Sequence, residues 1–329
     1  MRHLIQRVGF LLVSIWAAVT INFVLPRLMP GNPAEVLLAR YQGRLQPQAL
    51  HALELQFGLS HKPLLTQYVG YLANLVHGQM GLSISYYPTP VTKVIETSLP
   101  WTLGLAGTST IISVVVGTLL GIYSSWKRGS WLASALPTAT TFLAAIPYFW
   151  VALLLLYVFG FVLGWFPLAH SYSLSLTPSW NWEFVSNVIY HSILPAVTIV
   201  LTSLGGWLVG MRNNMINTLG EDYVVFGEAK GISKRRLMLV YAARNAILPN
   251  VTGFAMALGF VVSGALLTEI VFSYPGVGFQ LLTAVENEDY PLMQGIFLII
   301  AIAVLLANFA VELLYARLDP RARREGASS

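Results

Sequence analysis

The chain has 329 residues, 56% hydrophobic and only 10% charged, with no cysteine and a formal net charge of +5. Soluble domains carry about 25% charged residues, so a mainly water-facing surface is excluded and a membrane protein is indicated. Disulfides, thiolate metal sites and cysteine nucleophiles are excluded with the cysteines.

A helix needs about 20 apolar residues to cross a bilayer, and the intervals between charges supply six candidates. Five are bounded by Arg7 and Arg27, Glu96 and Lys127, Glu183 and Arg212, Arg244 and Glu269, and Asp289 and Glu312. The remaining one, third in chain order, covers about 132–160, and the stretch "WFPLAHSYSLSLTPSWNW" that follows reads as a loop. Arg2 and Arg7 precede the first apolar run as they would in a signal peptide. That run exceeds the usual h-region of about 7–15 residues and ends without a small-x-small site, so a retained helix is expected. Pro147 and Pro195 are candidate kinks in the third and fourth spans.

Lys and Arg set the orientation. Arg2 and Arg7, then Lys127 and Arg128, then the cluster Arg212, Lys230, Lys234, Arg235, Arg236 and Arg244, then Arg317, Arg321, Arg323 and Arg324 fall on one side. The loops near 161–191 and 274–290 hold none. Both termini are therefore expected in the cytoplasm. Trp101, Trp165, Trp180 and Trp182 fall near the outer interface, and Trp126 and Trp131 near the inner one. The first outer loop, about 30–96, is too long for a simple connection. Its stretches "PQALHALELQFG" and "LLTQYVGYLANLVHG" have helical apolar spacing, which predicts a small helical cap.

The segment 220–250, "GEDYVVFGEAKGISKRRLMLVYAARNAILPN", gathers much of the charge. "EDYVVFGEAK" predicts a short helix closed by Gly231, and Ser233 can cap the next helix, "KRRLMLVYAARNA", which runs to Pro249. A short helix is marginal in water, so either it docks in a groove on another protein or it lies as a basic helix on lipid.

Other chemistry lacks its residues. No G-x-x-x-x-G-K-[ST] phosphate loop occurs. The six histidines have no ligand spacing, and no serine sits in a G-x-S-x-G turn. Glu269, at the outer end of the fifth span, is either bonded to backbone near the Tyr274-Pro275-Gly276 turn or part of a gate. Glu312 is expected to pair with Arg317 or Arg212.

"EAKGISKRRLMLVYAARNAILP" resembles the cytoplasmic EAA loop of importer-type ABC transporter permeases, with Lys230 standing where the second alanine is usual. "RLMPGNPAE", "HGQMGLS", "LLTEIVFSYPGVG", "DYPLMQG" and "LYARLDPRAR" extend the resemblance along nearly the whole chain, to the first permease subunit of dipeptide and oligopeptide importers. Asn32 and Gln79-Met80 depart slightly from that pattern.

The resemblance implies an all-α membrane protein of the type I importer fold: six transmembrane helices, cytoplasmic termini and a helical extracytoplasmic insertion after the first helix. The implied divisions are 1–29 for the first helix, 30–96 for the cap, 97–316 for the core with a coupling loop at about 216–249, and 317–329 for a basic tail. It implies that Glu228, Ala229, Lys230, Gly231 and Ile232 contact a cytoplasmic ATPase, supported by Ile247, Leu248 and Pro249; Glu269 and Tyr274 are gate or pathway candidates apart from the resemblance, by the placement of a carboxylate at the end of a span. The implied partners are a second homologous permease, two ATP-binding subunits, an extracytoplasmic substrate-binding protein and membrane lipid, with no nucleic acid. The chain itself is implied to be non-catalytic and cofactor-free, with ATP and Mg²⁺ on the partners, in a prokaryotic cell membrane. Peptides are the implied cargo, and relatives of the same class carry oligosaccharides or nickel. An ion-coupled secondary transporter is the competing class, but it usually needs midplane carboxylates or broken helices.

Overall fold

The computed structural model describes residues 2–28, 63–126, 129–263 and 266–318. All regular elements among them are helical. Helix α1 (Arg2–Leu28) is followed by α2 (Leu64–Val76), α3 (Val91–Trp126), α4 (Trp131–Ala145) and α5 (Tyr148–Leu155), which winds on as a π-helical stretch, Leu156–Val162. Then come α6 (Trp182–Leu219) and the short α7 (Asp222–Ala229). A second arm follows through Lys234–Arg236, a π-helical stretch Leu237–Ala243 and Arg244–Ala246. Helices α8 (Leu248–Phe260), α9 (Leu266–Val271), α10 (Val277–Glu286) and α11 (Tyr290–Leu318) complete the order.

Helices α3 and α6 form the central pair, and small residues let them touch. A Cβ added at Gly117 would lie 2.6 Å from the Trp207 Cβ, and one at Gly121 would lie 2.6 Å from the Leu208 carbonyl oxygen. This i, i+4 pair of glycines brings the two backbones together, the packing that suits lipid, where apolar burial between helices has little driving force. Polar side chains tie the same seam: the Ser113 and Ser203 hydroxyls are 2.8 Å apart, and Asn250 on α8 donates to Thr118 at 3.1 Å.

Two buried clusters sit at opposite ends of α3. Val91, Val94 and Ile95 pack with Val277, Leu281, Leu292 and Ile296 at its start. Ile122 packs with Met211, Met215, Ala242 and Ala246 near its end. At the first of these ends α1 and α11 are pinned together, because Asn22 donates to the Gln294 carbonyl at 2.9 Å and Gln294 donates to the Asn22 carbonyl at 2.9 Å. The end of α1 thus lies beside the start of α11, and the two run antiparallel.

Among the described residues, four helices are long and apolar enough to cross a membrane: Ile5–Val24 within α1, α3, α6, and Tyr290–Val311 within α11. The expected third span is a bent pair, α4 with α5 and its continuation, turned by 97°. Pro147 is the cause. It lacks an amide hydrogen and drives Ile146 to φ −82°, ψ 130°, outside the helical region. Pro195, by contrast, lies inside an uninterrupted α6.

The expected fifth span is not one long helix either. Helix α8 has 13 residues and passes into a 3₁₀ turn at Val261–Ser263 before α9 begins. Four spanning helices, or five with the bent pair, are therefore what length and composition support. The stretch after the third span is irregular as expected, whereas 274–290 holds α10 rather than a plain loop. The helix expected at "PQALHALELQFG" lies outside the described residues.

Candidate functional site

The charged segment folds as an elbow. Helix α7 turns Val224 and Gly227 inward, and both are buried. A Cβ at Gly227 would meet Leu237 Cδ1 at 3.0 Å, so the residue is small because the second arm lies against it. Asn245 donates to the Tyr223 hydroxyl at 2.8 Å, and that hydroxyl donates to the Tyr241 carbonyl at 3.3 Å. These contacts fix α7 on the second arm. Gly231 closes α7 with φ +75°, its amide donating to the Glu228 carbonyl at 2.9 Å. Only glycine takes that conformation without a Cβ penalty.

The outer face of the elbow is unusual for a segment so rich in charge. Phe226 and Val225 are 61% and 55% exposed, and with Asp222, Tyr223 and Ala229 they line a shallow depression. The Lys230 ammonium lies 4.4 Å from the Phe226 ring centre, a cation–π contact that holds charge beside the apolar spot. Glu228, Ala229 and Lys230 are all exposed. Ser233 occupies the capping position of the second arm as expected, but its side chain makes no capping hydrogen bond. Ile247 packs against the Ile122–Met211 cluster, while Leu248 and Pro249 are exposed at the start of α8.

The far end of α3 carries a buried polar hub. Glu269 is 0% exposed and accepts from the Thr102 hydroxyl at 2.8 Å and from the Gly278 amide at 2.7 Å. Thr102 in turn accepts from the Val277 amide at 2.8 Å, and the Tyr274 amide donates to the Glu269 carbonyl at 2.8 Å. A Cβ at Gly276 would lie 2.4 Å from the carboxyl group, so the turn wraps tightly around it. The carboxylate thereby fastens α9, the turn and α10 to α3. Tyr274 is also buried. Its ring meets Trp101 edge-on at 6.0 Å and its hydroxyl is 3.0 Å from the Ser192 hydroxyl.

Beside Tyr274 a cavity of about 670 Å³ opens between α3 and α6, lined by Trp101, Leu105, Trp180, Phe184, Val188 and Ser192 among others. A second buried carboxylate, Asp289, starts α11. It accepts from the Leu292 amide at 3.1 Å, an N-cap, and from the Ser83 hydroxyl and Ser85 amide at 2.5 and 2.8 Å. It therefore latches the chain ahead of α3 to the start of α11.

The structure thus gathers Glu228, Ala229, Lys230, Gly231 and Ile232 at the elbow tip, and sets Glu269 and Tyr274 side by side at the other end of α3. On α3 the hub sits at Thr102 and the second arm packs at Ile122. Twenty helical residues span about 30 Å, the thickness of a bilayer core. Sequence reading missed Thr102, Asp289 and Gly227. Only Asp289 had a local signal, an acid just before a long apolar helix. Among the described residues no group of three or more His, Asp or Glu could hold a metal. The side chains of Glu312 and Arg317 lie outside the described residues, so their expected pairing does too.

Helices that cross a bilayer, a charged elbow at one end and a buried polar hub at the other define a polytopic membrane component. Residues 117–324 match the family of binding-protein-dependent transport system inner membrane components, and the chain belongs to that family. A di/tripeptide transport system permease protein of Pseudomonas aeruginosa is 33% identical, over 97% of this chain and 98% of its own length. A probable D,D-dipeptide transport system permease protein of Escherichia coli is 32% identical over 98% and 97%. An oligopeptide transport system permease protein of Bacillus subtilis is 31% identical over 97% and 98%. The chain is accordingly a permease component of an ABC transporter in the inner membrane, a non-catalytic subunit.

Proposed function

We propose that this permease forms half of a peptide translocation pathway, driven by ATP hydrolysis, with Mg²⁺, on two partner subunits. A second homologous permease supplies the other half, and an extracytoplasmic binding protein delivers the peptide. The cargo rests on the names of the three relatives above: di/tripeptide, D,D-dipeptide and oligopeptide transport permeases. Oligosaccharide or nickel cargo in the same transporter class is the outcome that would change only this part of the reading.

The observation that carries the mechanism is the elbow. Its tip, Glu228 to Ile232, ends a short helix that is fixed to the second arm yet exposes Val225 and Phe226. An apolar ridge held rigidly and flanked by charge is suited to a cleft on a soluble protein and poorly suited to free water. Ile247, Leu248 and Pro249 join the second arm to α8, so a force on the tip passes into a membrane helix. Glu269 and Tyr274 sit at the other level of α3, beside Thr102, where the turn and α10 would move with the pathway.

In this reading the chain crosses the membrane six times, counting the broken stretch α8–α9 as the fifth span, with both termini cytoplasmic. Residues 1–29 form the first span, 30–96 an extracytoplasmic cap that contributes to binding-protein docking, 97–316 the core and 317–329 a cytoplasmic tail. The antiparallel pinning of α1 and α11 supports termini on one side.

The test is reconstitution of the permease pair with its ATPases in proteoliposomes, with binding protein and a labelled dipeptide added outside. Uptake should require ATP inside and persist when ion gradients are dissipated. Uptake that followed an ion gradient without ATP would overturn the proposal.

A further inference from the structure

The helix α2 lies in the region read as an extracytoplasmic cap, yet its surface does not match a helix standing in water. Around its circumference it has three distinct strips. Tyr68, Tyr71 and Leu75 form the first, which is half-buried, with the two tyrosines against α1. The Tyr68 hydroxyl is 2.7 Å from the Thr20 hydroxyl, Asn22 donates to the Tyr71 hydroxyl at 3.1 Å, and both tyrosine rings lie within 5.4 Å of the Phe23 ring. Thr66, Gly70 and Asn74 form the second, which is exposed and polar or bare. Leu65, Val69, Ala73 and Val76 form the third, at i, i+4, i+8 and i+11. All four are exposed, with Leu65 at 75%, Val69 at 58% and Val76 at 85%.

The depth of α2 follows from its partners on α1. The apolar span of α1 runs Ile5–Val24, so Thr20 lies about one turn, or ~6 Å, inside its end. Tyrosines that reach Thr20 and Asn22 hold α2 at the boundary of the hydrocarbon, the level their amphipathic rings favour. At that same level α1 itself exposes Ile21 and Val24, the surface a span offers to lipid.

We infer that α2 is an interfacial helix that lies in the membrane surface, with Leu65, Val69, Ala73 and Val76 in the acyl region and Thr66, Gly70 and Asn74 toward water. Its apolar strip continues the lipid-facing surface of α1. Interfacial helices of this kind bury their apolar side about 5–10 Å below the headgroups. This rests on α1 being a transmembrane span, and the reference site below tests that separately.

The chain has no cysteine, so single replacements suffice. Leu65→Cys, Val69→Cys and Val76→Cys, with Thr66→Cys and Asn74→Cys for the polar strip and Ile21→Cys as reference, would be nitroxide-labelled. The labelled permease, in complex with its partner subunits, goes into phosphatidylethanolamine–phosphatidylglycerol liposomes. Collision rates with oxygen and with a water-soluble nickel chelate are then compared. Residues 65, 69 and 76 should favour oxygen several-fold over residues 66 and 74, and should match Ile21→Cys. Chelate access equal at all five α2 positions, with Ile21→Cys still lipid-exposed, overturns the inference. Protection of residues 65, 69 and 76 that appears only when binding protein is added overturns it as well, and assigns the strip to that protein. Chelate access at Ile21→Cys itself refutes the α1 span and the inference with it.

Discussion

Thr102 on α3 and Glu269 on α9 share a 2.8 Å hydrogen bond in which neither side chain reaches solvent. The threonine also accepts from the Val277 amide, and the carboxylate also accepts from the Gly278 amide, so one pair closes the junction of three helices. The shape-conserving change Thr102→Val takes a donor from the buried carboxylate and leaves the Val277 amide unpaired in the interior. Each such group costs about 1–3 kcal/mol, so a marked drop in the thermal midpoint of the purified complex is expected, with transport lost in proportion. A gating role independent of structure would show the reverse: normal thermal stability and abolished transport.

Topology can be read from accessibility. Ser179→Cys should react quickly with an impermeant maleimide added outside, since the site is exposed. Ser273→Cys should react more slowly from the same side, because that residue is half-buried at φ 47°. Ser233→Cys, exposed beside the elbow tip, should react only after the membrane is opened. Ready labelling of residue 233 in sealed cells would invert the assignment of the elbow.

How much of this was legible in the sequence depends on the range of the interaction. The spans in α1, α3, α6 and α11 followed from long uncharged intervals, because lipid leaves a chain little other option. The bend at Ile146 had a local cause in Pro147. The break after Phe260 had no proline to announce it, only the mixed run "VVSGA", so the fifth span read as continuous. The elbow was visible through Gly231, whose turn is a local backbone matter. Its fastening through Tyr223, Asn245 and Gly227 was not, since those contacts join residues brought together only when α7 folds onto the second arm. Glu269 stood out as a carboxylate at the edge of an apolar run. Its partner Thr102 lies far back in the chain among many similar hydroxyls, and nothing local marks it.

The Asp289 latch makes a separate prediction about the start of α3 and α11. Asp289→Ala removes the N-cap of α11 and strands the Ser83 hydroxyl and the Ser85 amide. Losing such a cap costs about 0.5–2 kcal/mol, and the stranded groups add to it. Limited proteolysis should then cut near residues 81–90 before any other described segment, as the stretch ahead of α3 loosens from α11. Asp289→Asn retains an acceptor and should show a smaller effect. Equal protease resistance in wild type and Asp289→Ala would mean that the packing of Val91 and Ile95 alone holds this end.

The elbow gives the most specific prediction, because its backbone and its surface can be altered independently. Gly231 has φ +75°, and among the described residues, its two chain neighbours aside, no atom lies within 4 Å of a Cβ built there. Gly231→Val therefore meets no clash inside the subunit, and its penalty is conformational, about 1–2 kcal/mol for a left-handed residue. Gly231→Asn, a residue that tolerates this region, should retain most function. Phe226→Asp leaves the Gly231 turn intact and changes the exposed ridge together with its Lys230 contact. If the elbow docks in a cleft of the ATPase, Gly231→Val and Phe226→Asp should both reach the membrane at normal levels, because the membrane helices do not depend on either residue. Both should co-purify with much less ATPase and lose hydrolysis stimulated by the binding protein. Glu228→Ala should show a milder form of the same loss, through a missing charged contact. A basic helix lying on lipid would respond differently. It would tolerate Gly231→Val, and would lose membrane contact on replacement of Lys234, Arg235 and Arg236 by glutamine while ATPase stayed bound. Stoichiometric ATPase on the Phe226→Asp permease, with transport intact, would remove the ridge from the coupling surface.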